Sequence, residues 1–176
     1  RVFVLCDKFF DKRVPKISNK DLDKEIFMEL DSIKLKIESS IKKFKFREAM
    51  SYVIDIARLG NKYLTDTEPW KIFKDKPERV KNIIHNSLQI VANISILCEP
   101  FLPFTSNKIK DHLNVSNLNW NDIGKNILSS DHLISGKALI FSKIEDQIIE
   151  DQIKKLKLND EKNNIMPQKN TIEFED

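Results

Sequence analysis

Trp70 is the residue whose type and setting best suit chemistry, in the stretch "LGNKYLTDTEPWKIFK". It follows Pro69 directly, and Lys71 and Lys74 lie close behind it. A rigid indole can stack on an unpaired RNA base, a contact worth about 1–3 kcal/mol, while nearby lysines meet the phosphates. The alternative is that Trp70 closes one end of a helical core, where tryptophan is usually found. A core residue would be nearly inaccessible, whereas a base-stacking residue would keep one ring face open.

No other set of residues predicts catalysis or metal binding. The sequence contains no Gly-rich phosphate loop, no HExxH and no GxSxG motif. His85, His112 and His132 lie far apart, and each is interpreted as a surface or hydrogen-bonded residue. Cys6 and Cys98 are isolated and are interpreted as reduced, buried thiols. From these patterns alone, the chain binds or supports something and supplies no catalytic group.

The composition is that of a soluble globular protein. Of the 176 residues, 40% are hydrophobic and 32% are charged, and no apolar run reaches the roughly 18 residues that span a bilayer. The 30 basic and 27 acidic residues nearly balance, so charge alone does not predict nucleic-acid binding. The chain starts without methionine, inside an apolar pattern, and we expect a piece of a longer cytoplasmic protein.

Apolar residues recur at spacings of three and four through most of the chain, which predicts an all-α bundle. The segment 88–98 is apolar on most sides and is expected at its centre. Gly60 lies inside a helical pattern, at a cost of about 1 kcal/mol relative to alanine, and predicts a close neighbouring backbone. Three long helices are predicted, from Ser18 to Lys43, from Phe46 to Leu64 and from Pro77 to Glu99. Three further helical segments are "PWKIFK", "TSNKIKDHL" and "KIEDQIIEDQIKKLKL". Ser18 or Asn19 is the predicted cap of the first long helix, and Thr105 or Ser106 that of "TSNKIKDHL".

The remaining segments are expected to be irregular. The opening "RVFVLCDKFF" fits either a strand or a helix, and residues 114–135 are polar and irregular. "KALIF" is predicted to be a short extended piece. The acidic residues of "KIEDQIIEDQ" are interpreted as a solvated helix face supported by lysines such as Lys143 and Lys154, and a linker follows Leu158.

Three segments in order resemble the anticodon-binding domain of bacterial methionyl-tRNA synthetases. They are "ARLGNKYLTDTEPWKIFK", "PERVKNIIHNSLQIVANISILCEPFLPFTS" and "LIFSKIEDQIIEDQIKKL". The opening "RVFVLCDKFFDKRVP" looks like the first helix of that domain. The resemblance implies that residues 1–157 form the anticodon-binding helix bundle of a class Ia aminoacyl-tRNA synthetase. Residues 158–176 would be a linker leading toward an absent C-terminal tRNA-binding OB-fold domain.

The resemblance also implies roles for individual residues in reading the CAU anticodon. Trp70 would stack on the first base, cytosine, in a position set by Pro69. Arg1 would hydrogen-bond anticodon bases, with an asparagine partner immediately before it; some members carry the arginine further along the helix, where this chain has Val4. Asn61 and Tyr63 would support the site, and Lys71 and Lys74 are the candidates for phosphate contacts.

The implied parent enzyme is a methionine–tRNA ligase, which uses ATP with magnesium to form methionyl-adenylate and then methionyl-tRNA. This chain would supply no catalytic residue, bind no metal or cofactor and have no activity alone. Its expected partners are the anticodon stem-loop of tRNA(Met) and the catalytic domain of the same chain. The absent C-terminal domain would allow a homodimer, and no membrane contact is expected.

Two alternatives remain open alongside this reading. One is the anticodon domain of a related class Ia synthetase for cysteine, valine, leucine or isoleucine, which shares the bundle but not the "TEPW" context. The other is a non-enzymatic helical interaction module with Trp70 in its core. The chain also departs from the family in one place: Asp131-His132 stands where members often show Gly-His, in a stretch that normally packs against the body of the enzyme.

Overall fold

The computed structural model describes residues 1–17, 24–135 and 139–165, with side chains described as far as residue 159. Within these residues the regular structure is helical, so the predicted all-α fold is confirmed. The chain divides into two compact units, residues 1–140 and 141–176. The helices are α1 (Val2–Phe10), α2 (Lys24–Lys42), α3 (Phe46–Thr67), α4 (Pro69–Ile72), α5 (Pro77–Leu97), α6 (Pro103–Leu113) and α7 (Asp146–Ile165), with a 3₁₀ turn at Trp120–Asp122.

Helix α5 is the centre of the first unit. It packs against α1, α2, α3, α4, α6 and the 3₁₀ turn, and most of its side chains are buried. One side of α5 contributes Leu88 to the apolar core shared with α1, and another contributes Ile90 to the core shared with α2 and α3. The predicted central helix is therefore confirmed.

A row of polar side chains on α5 is also buried. His85, Gln89 and Asn93 recur every fourth residue, and each bonds a segment distant in the sequence. Because a carbonyl oxygen can only accept, His85 Nδ1 donates its proton to Pro15 O. The bonds are His85 Nδ1 to Pro15 O (2.9 Å), the amides of Ile127 and Leu128 to Gln89 Oε1 (2.8 and 3.0 Å), and the amide of Gly124 to Asn93 Oδ1 (2.8 Å).

Proline fixes the start of α6. Pro103 occupies the first turn, where its missing N–H and fixed φ cost nothing. The prediction that Thr105 or Ser106 caps this helix is wrong, because the helix already begins at Pro103, after Leu102. Ser106 instead lies on the buried face. Its hydroxyl donates to Ser95 O at 2.6 Å.

Gly60 allows α3 and α5 to approach closely. A Cβ at this position would lie 3.2 Å from Ile90 Cγ2, tighter than ordinary van der Waals contact. The neighbour is therefore a side-chain methyl group, and the predicted close backbone is wrong.

The second unit is described through α7. This helix continues to Ile165, seven residues past Leu158, where the composition predicts a linker. Lys154 Nζ lies 3.9 Å from Asp151 Oδ1, one of the lysine contacts expected of a solvated helix face. Of "KALIF", residues 139–141 have no regular secondary structure. The predicted Ser18 or Asn19 cap and residues 166–176 lie outside the described residues, and none of the described helices is both long and apolar enough to cross a membrane.

The segment after α1 pairs with the stretch around Asp131. Arg13 and Leu133 form an isolated antiparallel bridge, and the Asp131 amide donates to Val14 O at 2.9 Å. Asp131 itself has φ = 61°, the left-handed region that favours glycine. The chain thus places aspartate at a position whose backbone suits glycine, the residue that the resemblance leads us to expect there. Asp tolerates this conformation better than most residues.

We predict that Asp131→Gly raises the free energy of unfolding by up to about 1 kcal/mol, because glycine adopts φ > 0 without steric cost. Ser130→Gly is the matched control. Ser130 does not have positive φ, so glycine there relieves no strain and should lower the free energy of unfolding by about 0.4–1 kcal/mol, because it gives the unfolded chain more freedom. Urea unfolding followed by circular dichroism measures both. Equal destabilisation by the two substitutions would contradict a strained Asp131.

Candidate nucleic-acid interface

Trp70 lies at a sharp corner between α3 and α4. Glu68 makes the corner with φ = 41° and ψ = 55°, its amide donating to Leu64 O at 3.2 Å and its carbonyl accepting from the Lys71 amide at 2.9 Å. Left-handed geometry costs a non-glycine residue about 1–2 kcal/mol, and a following proline disfavours helical shapes further. The corner therefore goes against local preference and is held by the surrounding packing.

Pro69 is buried at this corner, and the Trp70 side chain is not. Trp70 is 39% exposed, so it is not a plug of the helical core. Pro69, at the first position of α4, fixes the direction in which the next residue leaves the corner. The exposure leaves ring surface for a ligand, and the stacking role of Trp70 remains a prediction.

Arg1 lies beside Trp70 although the two are distant in sequence. Its guanidinium carbon is 5.7 Å from the centroid of the Trp70 ring, within the range of a cation–π contact. An exposed contact of this kind contributes about 0.5–1 kcal/mol and is readily exchanged. A base that stacks on Trp70 must therefore take the other ring face or displace Arg1. Val4, on the same helix, is an exposed apolar residue.

A cleft of about 240 Å³ is lined in part by Arg1, while Trp70 is not among its lining residues. Arg1 and Asn61 supply polar groups at its surface, while Ile90 and Ile94 form part of its apolar wall. Gly60 also lines the cleft, and a side chain there would narrow it. The cleft therefore offers an apolar surface with an amide and a guanidinium at hand, a combination that suits a flat, polar-edged ligand.

The remaining predicted site residues differ in their surroundings. Tyr63 is half-buried and packs against both apolar cores, a position that fits support of the site. Lys71 Nζ pairs with Glu68 Oε1 at 2.8 Å, but both side chains are exposed, and such pairs contribute little. Lys74 is exposed and has no ion pair within the part of the chain that the structure describes. Both lysines remain accessible to a phosphate group.

Three phenylalanines fasten the corner to α1. The Phe9 and Phe73 rings stack with centroids 4.2 Å apart and 13° between their planes, and Phe10 meets Phe73 edge-on at 6.1 Å. Phe73 comes three residues after Trp70, while Phe9 and Phe10 end α1, the helix that follows Arg1. This cluster thus sets the placement of Arg1 relative to Trp70. Sequence reasoning missed it, because the pairing joins two elements whose contact no local pattern reports.

The two thiols supply no reactive group. Cys6 and Cys98 are free and buried, as predicted, and burial raises the pKa of their thiols to about 12 and about 11. Both remain protonated at neutral pH and are poor nucleophiles. No three His, Cys, Asp or Glu side chains of residues 1–17, 24–135 and 139–159 converge to hold a metal ion.

Comparison with protein families matches residues 14–160 to the anticodon-binding domain of methionyl-tRNA ligase. The chain is 43% identical to methionine–tRNA ligases of Cytophaga hutchinsonii and of Bacteroides fragilis, and 38% identical to that of Flavobacterium johnsoniae. Each alignment covers all of this chain. The chain spans 27% of the first two proteins and 30% of the third.

Solved structures share the fold. The free methionyl-tRNA synthetase of Mycobacterium tuberculosis superposes with a TM-score of 0.68 at 17% identity, over 82% of this chain and 30% of that one. The same synthetase in complex with methionyl-adenylate gives a TM-score of 0.63 at 17% identity, over 81% and 29%. At this identity the likeness supports the helix bundle and nothing finer.

We predict that Phe73→Leu lowers the free energy of unfolding by about 1 kcal/mol, because leucine keeps apolar volume but loses the ring stacking. With α4 loosened from α1, acrylamide should also quench Trp70 fluorescence more strongly, measured in a Trp120→Phe background. Phe104→Leu, at an 83% exposed phenylalanine, should change neither quantity. If quenching in Phe73→Leu equals that of the parent, the aromatic cluster does not hold Trp70 in place.

Proposed function

The chain belongs to the family of methionyl-tRNA ligase anticodon-binding domains, and from this premise we propose that it reads the CAU anticodon of methionine tRNA. The observation that carries the proposal is the placement of Arg1 5.7 Å from the partly exposed ring of Trp70. A stacking platform and a hydrogen-bond donor side by side are what recognition of an unpaired base requires.

The first anticodon base stacks on Trp70, which Pro69 and the Glu68 corner hold in place. Arg1 donates hydrogen bonds to base edges, and Asn61 offers both a donor and an acceptor across the cleft. Lys71 and Lys74 meet the phosphates. The lysine ammonium is a point charge and lacks the paired N–H donors of an arginine guanidinium. These contacts are therefore non-directional and add affinity more than selectivity. The support for this arrangement is the placement of Arg1 and Asn61 around one cleft, with Trp70 beside Arg1.

Selectivity then follows from what a wrong anticodon loses. A mismatched base stacks less well and leaves polar groups of the site unpaired, and each failure costs about 1–3 kcal/mol. In a ligase, that loss falls on the complex with tRNA and not on the reaction of the amino acid with ATP. The domain would act by recognition and supply no catalytic residue.

We further propose that the parent protein is a methionine–tRNA ligase that uses ATP with magnesium and works in the cytoplasm. Its catalytic domain, in the same chain, would hold the reacting groups, and a C-terminal domain would allow a homodimer. The relatives described above are methionine–tRNA ligases, which favours methionine over cysteine, valine, leucine and isoleucine as the amino acid. The exposure of Trp70 argues against an interaction module with tryptophan in its core.

We predict that Trp70→Ala in the complete ligase lowers kcat/KM for aminoacylation of methionine tRNA by about one to two orders of magnitude, because the stacking platform is lost. Methionine-dependent exchange of pyrophosphate into ATP should stay near the parent rate, since amino-acid activation does not involve the anticodon. Both rates are measured on the same preparation.

Two matched variants complete that experiment. Trp70→Phe keeps a smaller ring and should retain part of the aminoacylation rate. Trp120→Phe changes the second tryptophan, whose indole nitrogen donates to Glu38, and should leave aminoacylation unchanged. A parallel fall in pyrophosphate exchange and aminoacylation for Trp70→Ala would contradict the proposed role.

We predict that the chain alone binds tRNA weakly and with a marked salt dependence. If Lys71 and Lys74 meet phosphates of the anticodon stem-loop, these two contacts should contribute about −1.4 to the slope of log Kobs against log salt for that stem-loop. Lys71→Gln combined with Lys74→Gln should make that slope shallower by about 1.4. Lys36→Gln is the control, because its ammonium lies over Tyr52, about 24 Å along α3 from the corner at Glu68. An unchanged slope in the double variant would exclude these phosphate contacts.

A further inference from the structure

The connection between α2 and α3 carries exposed aromatic side chains and a strained backbone that do not contribute to the apolar core. Its residues 42–47 read "KKFKFR" and are called the α2–α3 turn below. The Lys45 amide donates to Ser40 O and the Phe44 amide to Ile41 O, both at 2.9 Å. This pair of bonds is the Schellman motif at the end of a helix. In this motif the first residue beyond the helix end has left-handed backbone geometry and is usually glycine.

Phenylalanine occupies that glycine position. Phe44 has φ = 58°, and it is the only aromatic residue with positive φ in the described part of the chain. A bulky side chain in this conformation is sterically disfavoured. Backbone outliers of this kind persist where the surrounding structure enforces them, and they cluster at functional sites.

Burial does not compensate for this cost. The Phe44 side chain is 81% exposed and that of Phe46 is 53% exposed. Their rings meet edge-on with centroids 6.3 Å apart and 78° between their planes, so ring faces stay open to solvent. An open hollow of about 590 Å³ lies against them and is also lined by Lys45, Arg47, Glu48 and Ser51. Two exposed aromatic rings side by side are a surface suited to a ligand.

The charges around the rings favour a polyanion. Four of the six residues in the turn are cations, and all are exposed. Glu48 accepts a hydrogen bond from Ser40 Oγ at 2.8 Å and lies 3.5 Å from Lys45 Nζ. The other cations of the turn, Lys42, Lys43 and Arg47, have no ion pair with any carboxylate among the described residues. Open aromatic faces between cations are the combination that binds single-stranded nucleic acid.

We infer that the α2–α3 turn is a second RNA-binding site, which stacks unpaired nucleotides of the bound tRNA outside its anticodon loop. The inference rests on the proposed function for the choice of RNA. Helix α3 separates the turn from Trp70 by about 33 Å, the length of its 22 residues. The anticodon loop therefore cannot occupy both surfaces, and α3 fixes the distance between them.

Phe44→Gly tests the site, because its effects on folding and on binding should have opposite signs. Glycine suits the left-handed position, so the melting temperature should rise. Removing the ring should weaken binding of full-length methionine tRNA to the 176-residue chain about ten-fold, the effect of losing one stacked base. Fluorescence anisotropy with end-labelled tRNA measures the affinity. The isolated anticodon stem-loop should bind the parent and the variant equally.

Two further variants separate stacking from bulk. Phe44→Leu keeps apolar volume without an aromatic face and should weaken tRNA binding as Phe44→Gly does. Phe104→Ala removes an 83% exposed phenylalanine from α6, outside the turn, and should leave tRNA binding unchanged. Parent-like affinity of Phe44→Gly for full-length tRNA overturns the inference, as does a loss in Phe104→Ala equal to that in Phe44→Gly.

The remaining outcomes distinguish this site from the anticodon site and from another partner. Trp70→Ala should weaken binding of both the stem-loop and the full tRNA. If Trp70→Ala weakens neither while Phe44→Gly weakens full-length tRNA, the proposed anticodon function fails and the second site stands. Vesicles of phosphatidylcholine with 30% phosphatidylserine test a membrane. Phe44-dependent vesicle binding without an effect on tRNA would overturn the RNA assignment.

Discussion

The buried polar row on α5 is the interaction on which the rest of the first unit depends. The side chains of His85, Gln89 and Asn93 are buried and cannot hydrogen-bond to bulk water. Each therefore needs a partner within the protein, because an unpaired buried polar group costs about 1–3 kcal/mol. Their partners come from the backbone of Pro15 and of residues 124–128. These hydrogen bonds hold the irregular stretch after α6 and the connection after α1 against α5. The helices that carry the candidate site pack on the other faces of α5.

The site follows from that arrangement. Helices α1, α3 and α4 all pack against α5, which brings Arg1, Asn61 and Trp70 to one surface from three elements. The aromatic cluster at Phe73 and the left-handed Glu68 then set the angle of the short helix α4. In the proposed function, Arg1, Asn61 and Trp70 are held by rigid helices and a strained corner and lose little freedom on binding, which would favour selectivity between similar anticodons.

The sequence predicted the elements that depend on the spacing of apolar residues. It did not predict contacts between segments that are distant in the chain. Period and proline positions predicted the bundle, the central helix and the start of α4. The same spacing did not show that His85, Gln89 and Asn93 are buried, because their partners lie in a polar stretch far along the chain. Thr105 and Ser106 suggested a cap by residue type, yet Pro103 begins the helix. The placement of Arg1 beside Trp70 could be expected only from the family resemblance, since no local pattern joins two residues so far apart.

The two tryptophans make one measurement decisive for the central claim, that Trp70 contacts the anticodon. Each indole N–H gives a separate signal in a nitrogen-15 correlation spectrum, and the Trp120 N–H is held by Glu38 in another part of the fold. On titration with the methionine anticodon stem-loop, the Trp70 indole signal should shift while that of Trp120 stays in place. A stem-loop that binds without moving the Trp70 signal would contradict the account.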